Sequence, residues 1–307
     1  MQSLLEFYLK DLPALEDWRY SPNDHRTRDV VRRAIIPMTA EEGCAYATSK
    51  HNRDGPRRAE IMVTHNWGNR FRDRLGAIVA DALQECSSHF AGQLLDHEPD
   101  LLRSMLTESG QMQNVYWICA FAVNQHASIC HTNPCDRDPF TDELHPVNVR
   151  DPDGRCTESE INKFDDMMGF LANTGKQLIA VDRSMDLFRR AWCVAEIAEA
   201  KRLQIRQSLK LVSRKTLTNQ AYQLQNLDIR DMRAGCDKDK ELILGKIEDI
   251  DSFNSQLRSL IFDPHSGLLA SWEQMDSLQQ MGEVGRLIRW SMADAGTGKV
   301  WRLWDAE

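Results

Sequence analysis

No apolar run in this 307-residue sequence approaches the ~20 residues that carry a helix across a bilayer. The opening stretch, MQSLLEFYLKDLPALEDW, has acids where a secretory signal has an apolar core. Neither membrane insertion nor signal-directed export is expected. Paired CxxC steps are missing, and the eight cysteines sit at irregular spacing, which does not make a small disulfide scaffold. The expected compartment is reduced and cytoplasmic. A basic excess is missing too. The formal net charge of −8 argues against a general nucleic-acid or anionic-membrane surface, so neither partner is expected. Two basic clusters, HRTRDVVRR at 25–33 and NRFRDR at 69–74, are interleaved with acids or apolar residues and read as solvated helix faces. There is no internal repeat and no low-complexity stretch.

What is present reads as alternating strands and helices. SLLEFYLKDL is an amphipathic helix broken by Pro13, and TRDVVRRAIIPM a short helix expected to stop before Pro37. TSKHNRDGPRRA, with Gly55 and Pro56, makes a boundary. AEIMVTHNWGN then begins with a short, partly β-branched apolar run and ends in polar residues and a glycine, as a buried strand and its exit loop do. RFRDRLGAIVADALQEC follows with apolar residues close to a 3.6 period. NVYWICAFAV reads as a second buried strand, KQLIAVD as a third and SLKLVS as a fourth. ESEINKFDDMMGFLANTG and FRRAWCVAEIAEAKRL are the helices on either side of the third. LQNLDIRDM is a further strand candidate, followed by helices in DKDKELILGKIEDIDSFNSQLRSLIF and WEQMDSLQQMGEVGRLIRWSM. Between the second strand and the third lies a long Pro-, Asp- and Asn-rich loop over 124–156, and loops of that length inside a compact domain are usually functional or mobile.

This alternation implies βαβ units, hence a parallel sheet with helices on both faces. Three divisions follow: an N-terminal helical extension (1–55), an α/β domain (56–215), and a C-terminal strand and helices packed on it (216–307). Ligands of such sheets sit at the carboxyl ends of the strands, here Thr64 to Asn69, Val123 to His126 and Asp182 to Asp186.

Glu196 stands out against that frame. Its helical neighbours at i−4, i−3, i+3 and i+4 are Trp192, Cys193, Glu199 and Ala200, none of them a base. Glu199, by contrast, has Arg202 three residues on. An unpaired acid among apolar neighbours near a sheet's carboxyl edge is a candidate catalytic group. The competing reading is a structural acid that caps a backbone or meets Arg189 or Arg190. Cys193 is rejected as a nucleophile, because no histidine stands at helical spacing and a carboxylate one turn away raises its pKa.

KQLIAVDRSMDLFRRAWCVAEIAEA resembles the strand-loop-helix of TIR domains, whose plant members carry a Trp-Cys-x-x-Glu-Leu step there. The step here is Trp192, Cys193, Val194, Ala195, Glu196, Ile197. EIMVTHNWGNRFRDRLGAIVADAL is similar to the first TIR strand and helix. Residues 58 to 262 resemble a divergent TIR-like family of unicellular algae, in which NVYWICAFAVNQH, RAWCVAEI and DIRDMRAGCDKDKELILGKI recur in this order. The first loop, THNWGNRF, departs from the plant pattern in lacking its acidic pair, and the loop after NQH is long. The resemblance implies a flavodoxin-like, TIR-type sheet. It also implies that Glu196 is the catalytic carboxylate of those members that hydrolyse NAD at the nicotinamide–ribose bond. NAD would then be substrate, with no cofactor required, and self-association through the domain is a further implication. Many TIR domains are assembly modules without catalysis, and a nucleoside or nucleotide N-glycoside hydrolase or transferase would use the same carboxylate.

The remaining candidates come from the strand ends. His65, Asn66, Trp67 and Asn69 leave the first strand, and Trp67 could stack on an adenine or nicotinamide ring or cover the sheet edge. Asn124 and His126 follow the second strand. Asp182 closes the third, as ligand contact or helix cap, and Trp192 begins the Trp-Cys step. His126, Cys130, His131, Cys135 and Cys156 have the ligand types for a structural zinc, although not its paired spacing. Cys119 reads as a small buried strand residue. GTGK at 296–299 lacks the spacing of a phosphate loop and reads as a turn.

Overall fold

Ile61–His65 (β1) is buried at every position, as expected of a strand covered on both faces. It pairs in parallel with Tyr116–Trp117 (β2) on one side and Lys176–Ala180 (β3) on the other, and β3 pairs in parallel with Arg206–Lys210 (β4). The order β2-β1-β3-β4 is that of a flavodoxin-like sheet. This computed structural model describes residues 1–53, 55–126, 162–172, 174–216, 227–234 and 237–293.

Alternation along β1 sorts its side chains between two layers. Ile61 and Val63 pack with Phe71, Leu75 and Ile78 of the helix Phe71–Ala82. Met62 faces the opposite way, against Met168 and Leu171 of Asn162–Leu171 and Ala200 of Ala191–Arg202. In chain order the helices are α1 (Gln2–Glu6), α2 (Thr27–Val30), α3 (Ile36–Thr39), α4 (Phe71–Ala82), α5 (Ser88–His97), α6 (Pro99–Glu108) and α7 (Cys119–Ala122). They continue as α8 (Asn162–Leu171), α9 (Ala191–Arg202), α10 (Asp237–Gly245), α11 (Ile250–Phe262) and α12 (Leu268–Ala293). Among the described residues no helix is long and apolar enough to cross a membrane.

The N-terminal segment is part of the core. Phe7 meets the rings of Tyr46, Phe71 and Phe121 edge-on at 5.2, 5.9 and 5.1 Å. Residues 25–28 lie on the exit loop of β1: Phe71 N donates to His25 O, Thr27 N to Asn69 O and Arg28 N to Trp67 O. At the other end of the chain, Leu257 and Ile261 of α11 and Trp272 of α12 share a core with Val194 and Ile197. Trp272 also donates to Cys86 O at 2.8 Å.

Four expectations need correction. The second strand was read over NVYWICAFAV but pairs only at Tyr116 and Trp117, and Cys119 sits in the short helix α7. A fully apolar run does not distinguish a buried strand from a buried helical turn. In LQNLDIRDM, the described part forms a tight turn, Ile229–Asp231, capped by Asp228, and the following Arg233 makes an isolated parallel bridge to Arg190. The second helix does not stop before Pro37. A π turn, Val31–Ile35, widens it, and Pro37 enters at the start of the next α-helical turn, where proline is tolerated. Finally, the basic clusters are not simply solvated faces, since Arg32 and Arg74 are buried.

Candidate functional site

Thr64 lies inside β1 and its side chain points to the α8/α9 layer, opposite to Val63 and His65. There its hydroxyl donates to Glu196 Oε2 at 2.5 Å. Thr64 is fully buried, whereas Glu196 is half-buried and lines a cavity of about 820 Å³. That volume is in the range of small-molecule sites. The walls are α8, α9 and residues 243–256, with Phe164, Trp192, Ile243 and Phe253 supplying apolar surface. Phe164 stacks on Trp192 at 6.2 Å. Acids outnumber bases around the rim: Asp165, Glu199, Glu248 and Asp249 against Arg202 and Lys246. Both bases are engaged, Arg202 with Glu199 and Lys246 with Asp165.

No described basic side chain pairs with Glu196, and Arg189 reaches Asp186 instead. Loss of solvent around the carboxyl pushes its pKa up to about 8, against the opposing effect of the Thr64 hydrogen bond. Glu196 Oε1 makes no hydrogen bond to any described residue. The group can therefore exchange a proton near neutral pH, or, once ionised, set a poorly solvated negative charge against a developing cation.

Thr64 is itself held. Gln177 of β3 donates to Thr64 Oγ1 at 2.8 Å, and Gln207 of β4 donates to Gln177 Oε1 at 2.9 Å. Gln207 Nε2 also donates to Ile197 O at 2.9 Å, which returns the chain to α9 one residue beyond Glu196. Sequence reading did not single out Gln177 or Gln207. The available signal was a polar side chain at an inward position of a buried strand.

The cavity brings together Glu196 and Trp192, but it is not walled by the three strand ends as expected. His65 is buried on the opposite face of the sheet. Its Nδ1 meets Val63 O at 3.1 Å and its Nε2 meets the Arg74 guanidinium at 3.2 Å, which makes Nδ1 the protonated nitrogen. Burial and Arg74 lower its pKa to about 3, so it is neutral. Asn66 Oδ1 accepts from Gly68 N, and Trp67 Nε1 contacts Cys119 Sγ at 3.3 Å. The main-chain carbonyl of Asn69 accepts from Thr27 of the N-terminal segment. Asn124 donates to Gly43 O and His126 Nε2 meets Thr39 Oγ1 at 2.9 Å. Asp182 caps the turn that leads into α9, accepting from the backbone N–H groups of Ser184, Asp186 and Leu187. Each of these strand-end groups has a structural partner: Asn69, Asn124 and His126 in the N-terminal segment, Asp182 in the turn before α9, and His65, Asn66 and Trp67 in β1, its exit loop, α4 and α7.

Cys193 donates to His65 O at 3.4 Å, and burial, with Glu196 adding to it, raises its thiol pKa well above the ordinary value. This agrees with its rejection as a nucleophile. Of the zinc candidates, Cys130, His131, Cys135 and Cys156 lie outside the described residues, as do most of the long loop and the GTGK turn. Among the described residues no group of three or more His, Cys, Asp or Glu side chains is placed to hold a metal. No protein-family model, no curated protein and no solved structure matches the chain.

Proposed function

We infer that the protein is a TIR-like enzyme that cleaves the nicotinamide–ribose bond of NAD, with Glu196 as the key carboxylate. The observation that carries this reading is a carboxyl group at an 820 Å³ cavity, held by Thr64 and free of any described basic partner. The flavodoxin-like strand order and the helix after β3, which bears the Trp192-Cys193-x-x-Glu196 step, also support it. In the reaction the C1′–N1 bond breaks and its electron pair leaves with nicotinamide, which departs neutral because its ring was already cationic. The ribosyl unit becomes oxocarbenium-like, and ionised Glu196 opposes that positive charge across a poorly solvated gap. Water then adds at C1′ and loses a proton. Trp192 and Phe164 offer an aromatic wall to a base, and the acidic rim suits a cationic pyridinium. NAD is substrate here, and no further cofactor is invoked.

A nucleoside or nucleotide N-glycoside hydrolase would use the same carboxylate, and a TIR-like assembly module would use none. Incubation of the purified chain with NAD, nucleotides and nucleosides, followed by chromatography, separates the three. Nicotinamide release from NAD that is lost in Glu196→Gln supports the proposal. Base release from nucleosides alone transfers it to the wider class. No release from any of them, with concentration-dependent self-association, leaves the module.

A further inference from the structure

The hydrogen bonds that reach Glu196 from across the sheet have a sense that can be read from one end. Ile197 O is a main-chain carbonyl and can only accept. Gln207 therefore turns Nε2 toward it, at 2.9 Å, and the same nitrogen donates its second hydrogen to Gln177 Oε1. With Oε1 so engaged, Gln177 presents Nε2 to Thr64, whose oxygen must accept at 2.8 Å. A hydroxyl has one hydrogen, and that of Thr64 is left to point at Glu196 Oε2. Reversing Gln207 would set its oxygen against Ile197 O and Gln177 Oε1, and reversing Gln177 alone would set two donor nitrogens against each other at Gln207. The anchor and the end point are adjacent residues of α9, so strands β4, β3 and β1 and the helix close one ring.

We propose that Gln207, Gln177 and Thr64 are positioning residues that keep Glu196 Oε2 as a permanent acceptor and confine its proton exchange to Oε1. This rests on the reading of Glu196 as the working carboxylate. When Glu196 is protonated, the proton sits on Oε1, since Oε2 is already receiving one from Thr64. When it ionises, Thr64 stabilises the anion and holds Oε1 in one orientation. The other ionisable groups around the carboxyl are the Cys119 and Cys193 thiols, whose ionisation it opposes. On the cavity side they are Asp165 of α8, Glu199 and Arg202 of α9, and Lys246, Glu248 and Asp249 of the 243–256 segment. None of these donates a hydrogen bond to the carboxylate among the described residues, so the effect of Thr64 is not duplicated.

The test is a carbon-13 carboxyl titration of glutamate-labelled full-length protein, run beside nicotinamide release from NAD over the same pH range. Glu196→Gln assigns the resonance. Thr64→Val keeps shape and removes the donor, and the Glu196 midpoint should move up by about one pH unit or more, a tenfold smaller ionised fraction at neutral pH. Thr64→Ser restores the donor and should titrate near wild type, which loss of packing alone would not produce. Gln207→Leu cuts the anchor, frees Gln177 to turn, and should give a smaller upward shift. A Thr64→Val midpoint equal to wild type overturns the proposal. Where Thr64→Val does not fold, an unmoved midpoint in Gln207→Leu overturns it instead. Midpoints that move as stated in a protein that releases no nicotinamide at any pH leave the hydrogen-bond chain standing and remove the NAD reading.

Discussion

Lys246 and Asp165 form an ion pair at 3.1 Å on the cavity rim, tying α8 to the turn between α10 and α11. Both side chains are more than half exposed, and water and salt screen such a pair strongly. Lys246→Ala should therefore change the unfolding free energy by no more than about 1 kcal/mol, read from urea midpoints. A larger loss would mean that the pair, rather than the packing of Phe164 on Trp192 and Trp117, seats α8.

The raised pKa of Glu196 fixes the sign of a pH effect on stability. Its folded value of about 8 exceeds the ordinary 4.5, so the folded state holds the proton more tightly than the unfolded one between those values. The resulting stabilisation is fully present below about pH 4.5 and is lost as pH rises through 8. Glu196→Gln abolishes this dependence. Its thermal midpoint should match the wild type near pH 4.5 and lie progressively above it up to pH 8, beyond which the gap is constant. A variant less stable than wild type at pH 8.5 would contradict the burial of this carboxyl.

The same ionisation should govern the proposed reaction. If the anion opposes the oxocarbenium-like state, kcat/KM for NAD should rise about tenfold per pH unit at low pH and level off near pH 8. Glu196→Gln should lower the plateau by ~10²–10³-fold. A profile that falls between pH 6 and 8 would instead indicate that the protonated form is the active one.

Phe7 tests whether the first segment belongs to the core. Its ring is fully buried against Tyr46, Phe71 and Phe121. Phe7→Ala should cost about 3–5 kcal/mol in a single cooperative transition followed by both fluorescence and circular dichroism. Two separated transitions would show the segment unfolding independently.

Arg74 is buried with its Nε and one terminal nitrogen without hydrogen-bond partners among the described residues, and its charge lies over the Phe71 ring at 4.4 Å. Burial lowers its pKa to about 10. Arg74→Met removes a charge that lacks a counter-ion among the described residues, and the unfolding free energy should stay level or rise by up to about 2 kcal/mol. His65 would lose a neighbouring cation, so its titration midpoint should move up from about 3, as followed by histidine proton resonances.

The parallel sheet was legible because IMVTH and KQLIA are short buried runs, each followed after a polar turn by a helical stretch. The unpaired state of Glu196 was legible from its helical neighbours. Other features depended on contacts between distant segments. The amphipathic pattern around Leu5, Phe7 and Leu12 announces a buried face without naming Phe71 and Phe121 as its partners. The cavity walls were misplaced for a related reason. The end of the first strand looked open because nothing local shows that residues 25–28 lie on its exit loop. Thr64, Gln177 and Gln207 come from three strands, and only the sheet register makes them neighbours of one another.

The seat of Phe7 against Phe121 also sets a timetable for synthesis. Leu5, Phe7 and Tyr8 leave the ribosome well ahead of Phe121, yet the surface that receives them is completed only when residue 121 has emerged. At translation rates of ~5–20 residues per second, that interval is on the order of ten seconds. For that time this apolar segment lacks its final partner, and the nascent chain must stay unaggregated until the core closes over it.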